Sequence, residues 1–481
     1  MDIMKGFTPG ARAYFIGIKG TGMAALAEFL HNRGVKVSGS DCADVFYTDA
    51  ILNELKIPFF ESFEAANIQN EKPDLVIYSD AYSFEKNPEM AEAGKLGLPI
   101  CQYSEALGAY SRLFDFSGIT GSHGKTTTTA LAGTMAQAAG LPAQVLAGSA
   151  VSSFGNRSTL NLGDKYFIAE TDEYRRHFLS FGPKRIILSS IEEDHQDYFP
   201  DYDSILKAYL EYLDKLPGDG QLIYCADEPG ACEAAAVISR KNKSPRLIPY
   251  GFTAEGDFKI VSRVSGQGFQ KFKLAGFSEE LEIRIPGKHS CVNAAAALAL
   301  ISELVIEEFG GWKEDTKQNV CNAIKGFRGS KRRSEVLGEA GGILFMDDYG
   351  HHPTEVKTTL RGIKEFYGRR IVLSFMSHTY TRTAALFDEF ASSLENADIL
   401  VLHKIYSSAR EVYNGGITGL SLYEKVKTVM GNRVFYSEEV LDAVDILKEI
   451  LKPGDLFITM GAGDNFKLSH MLYSLYNGLG R

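Results

Sequence analysis

The segment Gly121-Ser122-His123-Gly124-Lys125-Thr126 limits the fold of this chain more tightly than any other stretch of it. It stands between an apolar run, residues 114–120, and a helical run that continues through Thr127 and Thr128. A strand that ends in a glycine turn and opens a helix belongs to a parallel α/β sheet. The glycines let backbone N–H groups converge, and the helix N-terminus adds positive potential, so the turn suits an anion. Lys125 can reach the β- and γ-phosphates of a nucleoside triphosphate, and Thr126 can hold Mg²⁺. The bland alternative is a tight turn with a chance lysine. The spacing is shorter than the G-x-x-x-x-G-K-S/T loop, so this pattern alone names no family.

The same strand and helix rhythm recurs on both sides. Residues 13–18, 35–38 and 75–78 read as strands, with helical spacing over 23–32, a βαβ pattern that runs to about Tyr110. A second unit starts near Leu113, with strands expected at 166–169, 185–189 and 222–225, a strand-rich part over 250–285 and a helix over 292–307. A third begins near Lys331, with strands at 343–346, 371–375, 399–403, 433–436 and 456–459. The expected class is therefore α/β with three domains: 1–112, 113–330 and 331–481. The first and third read as Rossmann-like, and the central one as a phosphate-loop ATPase with a mostly parallel sheet and a small β-rich part. A length of 481 residues agrees with about three domains.

Other candidate residues lie at strand ends, where open α/β sheets collect ligands. Glu170 follows one strand, and Asp194 and His195 follow another, so carboxylate and imidazole can serve a second Mg²⁺ or form a solvated acidic turn. Gly17-Ile18-Lys19-Gly20-Thr21-Gly22 follows a strand and opens a helix, and Asp41 ends the next strand; loop and carboxylate together suit a nucleotide diphosphate. Asp347-Asp348-Tyr349-Gly350-His351-His352-Pro353 follows a strand in the third unit. Its adjacent histidines suit polar contacts to a substrate better than joint ligation of one metal. His378, Tyr380 and Arg382 follow the next strand, where an arginine suits a carboxylate. Lys331-Arg332-Arg333 reads as a solvated turn.

Composition excludes several classes. A formal charge of −10 argues against a general nucleic-acid binder. The six cysteines form no C-x-x-C pair and read as buried thiols of a reducing compartment. No stretch reads as a membrane span and no leader is evident, so a cytoplasmic location without membrane partners is expected.

Taken in order, GSHGKTTTT at residues 121–129, DDYGHHPTE at residues 347–355 and the H-x-Y-T-R-T string ending at Thr383 resemble the Mur ligase family over nearly the whole chain. The resemblance implies ATP-dependent ligation of L-alanine to the lactyl carboxylate of UDP-N-acetylmuramate, with ATP and Mg²⁺, in a monomer or weak homodimer. It places the UDP on Gly17, Gly20, Thr21, Gly22 and Asp41. ATP falls to Gly121, Ser122, His123, Gly124, Lys125, Thr126 and Thr127, with His123 also toward the sugar substrate. Mg²⁺ falls to Thr126, Glu170 and His195. His289 and Asn293 face adenine, Arg333 reaches phosphate, and Asp348 and Tyr349 meet the nucleoside. His352, His378 and Arg382 line the amino-acid end, with His352 a candidate base for the amine. Lys125, Glu170, His195, His352 and Arg382 make up the implied catalytic set, and closure of the third domain completes it.

The chain departs from the family pattern at Lys19, Ser190, Ser290, Ser334 and Thr379, and Asp172-Glu173-Tyr174-Arg175 replaces the usual D-E-S-D. The D-E-Y string is similar to the paralogue that attaches a recycled tripeptide to the same sugar. The D-D-Y-G-H-H-P string and the H-x-Y-T-R-T string favour alanine. Leu210 falls near the place of the carbamylated lysine of sister ligases. A non-catalytic nucleotide-binding regulator would leave Glu170, His195 and Arg382 without a role. A nicotinamide oxidoreductase would leave Lys125 unexplained, and a folate-type glutamate ligase the first domain.

Overall fold

The structure, a computed structural model, describes residues 3–195, 198–241, 244–266, 268–407, 411, 413 and 415–478. Four sheets organise it. The first has five parallel strands in the order Phe59–Phe60, Lys36–Ser40, Arg12–Ile16, Leu75–Tyr78, Ile100–Gln102. The second has seven, in the order Arg246–Tyr250, Gln221–Cys225, Arg185–Leu188, Asp115–Thr120, Tyr166–Glu170, Ala143–Val151, Arg157–Asn161. Only its last pairing is antiparallel. A small antiparallel sheet of Ile260–Gly266, Phe269–Leu274 and Leu281–Ile283 forms the β-rich part. The last sheet runs Glu335–Ala340, Ile343–Asp348, Leu456–Gly461, Ile371–Met376, Ile399–Leu402, Val434–Tyr436, parallel except at its first edge. The fold is three-domain α/β with mostly parallel sheets.

The central strands were readable because both faces of a parallel sheet are covered, which makes such strands continuous apolar runs. Arg185–Leu188 and Leu456–Gly461 are buried throughout. Sequence reading passed over Phe59–Phe60, Ile100–Gln102 and Arg157–Asn161, which lie at sheet edges and are short or polar. It also passed over Ala143–Val151, Arg246–Tyr250 and Glu335–Ala340.

One reading from the sequence needs correction. The helix Lys288–Phe309 has the length and apolarity of a membrane span. It is a core helix: 78% of its most apolar window is buried inside the protein. A run of alanines, Ala294–Ala297, lets it lie close in the hydrophobic core beside the Lys125–Ala139 helix.

The apolar cores are distributed unevenly. A single continuous cluster extends from Phe7 through the first and central sheets to Phe327. The third unit has two separate clusters of its own, one on each face of its sheet.

Candidate active site

The phosphate loop leaves the carboxyl end of Asp115–Thr120, the middle strand of the central sheet. Gly121 and Gly124 have φ of 135° and 82°, values that L side chains rarely adopt. A Cβ on Gly121 would also lie 2.1 Å from Ser189 Oγ, so the turn accepts only glycine there. Gly124 caps the helix Lys125–Ala139, and Lys125 folds back over the turn. Its Nζ donates to Gly121 O at 2.5 Å and to Glu173 Oε1 and Oε2 at 3.1 and 2.9 Å. Thr126 Oγ1 donates to Glu170 Oε2 at 2.8 Å. The Glu170 carboxylate presses on the backbone of Gly148, where a Cβ would come within 1.9 Å of Oε1.

Burial pushes the Glu170 carboxyl above its ordinary range. Asp172 is raised as well, by partial desolvation and by the neighbouring Glu173 charge, although its side chain is exposed. Burial acts the same way on Glu173, but the Lys125 ammonium outweighs it and holds Glu173 at about 2. The His195 imidazole, with φ of 56°, lies 3.5 Å from Glu173 Oε1. Ligand atoms of Asp172, Glu173 and His195 lie within 4.8 Å of one another. His195 is therefore gathered with Glu173 and Asp172, whereas Glu170 is gathered with Thr126. Nothing local in the sequence marks Glu173 as the partner of Lys125.

A cavity of about 480 Å³ opens beside the loop, in the range of small-ligand sites. Ser122, His123, Gly124, Lys125, Thr126 and Thr127 form one wall of it. His289, Asn293, Asp227 and Tyr250 lie on the walls as well, and Arg333, Asp348, His351, His352 and Glu355 come from the third unit. Burial holds His289 down at about 4, so it is a neutral ring. Asn293 lies against Gly124, its Oδ1 2.8 Å from where a Cβ would stand.

The third unit reaches the cavity through polar contacts. His123 Nδ1 lies 3.2 Å from Glu355 Oε1, and its Nε2 lies 3.5 Å from Glu192 Oε2. Burial opposes a charge on His123, but the two carboxylates overcome it and raise the imidazole to about 10. Thr354 Oγ1 donates to Glu192 Oε2 at 3.2 Å. Arg382 Nη2 and Nε donate to Asp194 Oδ1 at 2.5 and 3.1 Å, and Nη1 meets His378 Nδ1 at 3.0 Å. Burial would raise the Asp194 carboxyl, yet the guanidinium holds it well below its usual range.

Several sequence readings change here. Lys331-Arg332-Arg333 is no solvated turn. Arg332 donates to Asp347 and to the carbonyls of Gly461 and Gly463, which staples the turn to the sheet. Arg333 is left facing the cavity, 3.6 Å from Glu355. Tyr349 lies outside the cavity lining, with Arg332 and Arg333 over its ring at 5.0 and 5.5 Å. Asp348 lines the cavity, but its oxygens accept from Ser334 N, Ser334 Oγ and Gly350 N. His352 caps the helix Pro353–Tyr367, with Nδ1 accepting from Thr354 N at 3.4 Å. That bond leaves the ring proton on Nε2, which makes His352 a donor and not a base. Its Nε2 is buried and finds no hydrogen-bond partner among the described residues.

At the first sheet, Gly17 (φ 88°) lies against Tyr82 and Ser79, and Gly20 caps the helix Thr21–Asn32 with Gly22 packed under Tyr103. The Asp41 carboxylate, read from sequence as a ribose contact, is occupied locally. It accepts from Lys19 N, Cys42 N and Tyr82 OH. Lys19 is buried, its Nζ on Asp44 O and beside Asp49 and Glu61. Asp41 and Lys19 thus set the shape of the glycine loop.

Fold and site together define a nucleotide-binding α/β protein whose phosphate loop is closed over by a third unit. Family models described as "Mur ligase family, catalytic domain", "Mur ligase middle domain" and "Mur ligase, glutamate ligase domain" match residues 12–115, 119–301 and 332–463. A UDP-N-acetylmuramate–L-alanine ligase of Treponema pallidum is 50% identical over 97% of this chain and 97% of its own. One of Borreliella afzelii is 40% identical over 95% and 98%. Among solved structures, a UDP-N-acetylmuramate–alanine ligase of Thermotoga maritima is similar in fold, with a TM-score of 0.77 at 24% identity over 97% of this chain and 99% of its own. A murein peptide ligase of Psychrobacter arcticus has a TM-score of 0.66 at 22% identity over 98% and 99%. The chain belongs to the Mur ligase family.

Proposed function

We propose that this enzyme joins L-alanine to the lactyl carboxylate of UDP-N-acetylmuramate with ATP, giving ADP and phosphate, in the synthesis of peptidoglycan precursor. The observation that carries the reading is Lys125, held by Gly121 O and Glu173 at a cavity that Arg333 and His352 enter from the third unit. The 50% identity over 97% of the chain to a relative of that name supports the choice of alanine. In this reading 1–112 takes the UDP-sugar on the Gly17–Gly22 loop, 113–330 takes ATP, and 331–481 brings the amino acid and closes the site.

A carboxylate is a poor electrophile, and phosphorylation makes it an acyl phosphate with a good leaving group. The lactyl carboxylate attacks the γ-phosphorus of ATP, and ADP departs. Lys125, freed from Glu173 by the incoming phosphates, and Arg333 neutralise charge spreading over the transferred oxygens. The paired hydroxyl and carboxylate of Thr126 and Glu170 are hard oxygen donors suited to Mg²⁺, and His195 with Glu173 and Asp172 forms a second group of donors. Bound there, Mg²⁺ supplies further charge neutralisation at the phosphates. His352 Nε2–H donates to a phosphate oxygen. Arg382 and His378 take the alanine carboxylate at the seam with Asp194. The reading places the reaction in the cytoplasm, in a monomer or weak homodimer.

A second reading has one feature in its favour, the Asp172-Glu173-Tyr174 string shared with the tripeptide-recycling ligase. Phosphate release with ATP, Mg²⁺ and UDP-N-acetylmuramate separates the two, with Lys125→Ala as the silent baseline. Release stimulated by L-alanine and not by the tripeptide is expected. Stimulation by the tripeptide alone overturns the choice of substrate.

A further inference from the structure

The adjacent histidines of the third unit are wired oppositely. His352 Nδ1 accepts a backbone N–H from Thr354. His351 Nδ1 lies 2.9 Å from the carbonyl oxygen of Tyr349, an acceptor only, so this nitrogen carries the proton and donates. The ring nitrogen left to a ligand is thus Nε2–H on His352 and a bare lone pair on His351. Both rings line the cavity. His351 also stands edge-on to His378, with ring centroids 5.2 Å apart, and His378 is bonded to Arg382. His351 thus adjoins the His378–Arg382 pair, to which the ligase reading assigns the amino-acid carboxylate.

We propose that His351 Nε2 is the proton acceptor for the attacking amine, a role that rests on the ligase reading above. The neutral amine of alanine attacks the acyl carbon, and the C–N bond forms. The nitrogen, now cationic in the tetrahedral adduct, passes one proton to His351 Nε2. The C–O bond to phosphate breaks, the oxygen keeps the electron pair, and His351 returns the proton to the departing phosphate. Amide and hydrogen phosphate result, and no other reactant is needed. An ammonium joined to the tetrahedral carbon is far more acidic than a free amine, so a weak base suffices. Burial, partly opposed by Glu355 and Asp194 and reinforced by Arg382, holds His351 at about 4, which keeps its lone pair available across the physiological range.

The test separates the two half-reactions in the full chain. Enzyme, ATP, Mg²⁺ and UDP-N-acetylmuramate are mixed, quenched at intervals, and the acyl phosphate is trapped as its hydroxamate. L-alanine is then added and its capture followed. His351→Ala is expected to form acyl phosphate within about 3-fold of the wild-type rate and to slow alanine capture about 100-fold or more, the usual worth of a general base. His351→Gln, which fills the same space without a basic nitrogen, is expected to behave alike. Capture at the wild-type rate in either variant, or acyl phosphate formation falling in parallel with it, overturns the assignment. Absence of acyl phosphate in the wild-type enzyme would instead overturn the ligase reading beneath it.

Discussion

The central unit meets its two neighbours in different ways. Toward the first unit an aromatic cluster dominates: Phe29 and Tyr110 close on Phe167, with ring centroids 5.8 and 5.7 Å apart, flanked by Arg157 on Glu28 and Glu54. The three aromatic residues belong to one core continuous across both sheets. Toward the third unit the seam is polar. It holds Arg382 on Asp194, His123 between Glu192 and Glu355, Thr354 on Glu192, and Arg263 on Glu365. Water replaces the polar contacts at small cost but cannot replace buried aromatic packing. The first two units should therefore move as one body, with the third opening to admit ligands and closing to complete the site.

The largest expected effect is at the aromatic seam. Phe167→Ala should cost about 3–5 kcal/mol and lower the stability of the first and central units together, in one denaturant transition. Separate transitions for the two units would break the comparison.

At the polar seam stability and activity should part. Arg382→Ala strands Asp194, which in a permanently closed core would cost about 3–5 kcal/mol. Because opening hydrates Asp194, the loss measured by thermal unfolding should stay near or below about 1 kcal/mol, while kcat/KM for alanine falls about 100-fold, equal to about 2.7 kcal/mol. A large drop in melting temperature would show this seam to be a fixed core.

The sequence revealed the two seams unequally. Lys125, Thr126 and the parallel strands were legible because local pattern dictates them. The partners across the polar seam were not, because Glu355 lies 232 residues from His123 and Asp194 lies 188 from Arg382. Arg332 and Arg333 look alike in sequence, and only the carbonyls of Gly461 and Gly463 decide which is the staple and which faces the cavity. Likewise, Asp41 follows a strand as a ribose contact would, and nothing local in the sequence shows that the N–H groups of Lys19 and Cys42 bond to it.

Charge at the polar seam should also respond to pH. His123 is raised from 6.5 to about 10, so its contribution to closure is complete below pH 6.5 and is lost as the pH rises through about 10. Glu192 and Glu355 are lowered from 4.5, so theirs is present above pH 4.5 and fades as the pH falls below it. Closure followed by energy transfer between labels on the central and third units should weaken on the alkaline side in wild type. In His123→Gln that alkaline decline should be absent, and an equal decline in both would contradict the latch. The smallest effect belongs to the rim: Glu365→Ala removes a half-exposed partner of Arg263 and should change stability by about 0.5 kcal/mol.

The most direct test of this division is a pair of distance distributions by electron spin resonance. Labels go on exposed Lys95, Lys313 and Lys448 through unnatural amino acids, which leaves the six native cysteines untouched. The Lys95–Lys313 distance should be narrow and unchanged on adding ATP, Mg²⁺ and UDP-N-acetylmuramate. The Lys313–Lys448 distribution should be broad without ligands and collapse to one narrow peak with them. A ligand-dependent shift between Lys95 and Lys313, or a Lys313–Lys448 distance indifferent to ligands, would contradict the account.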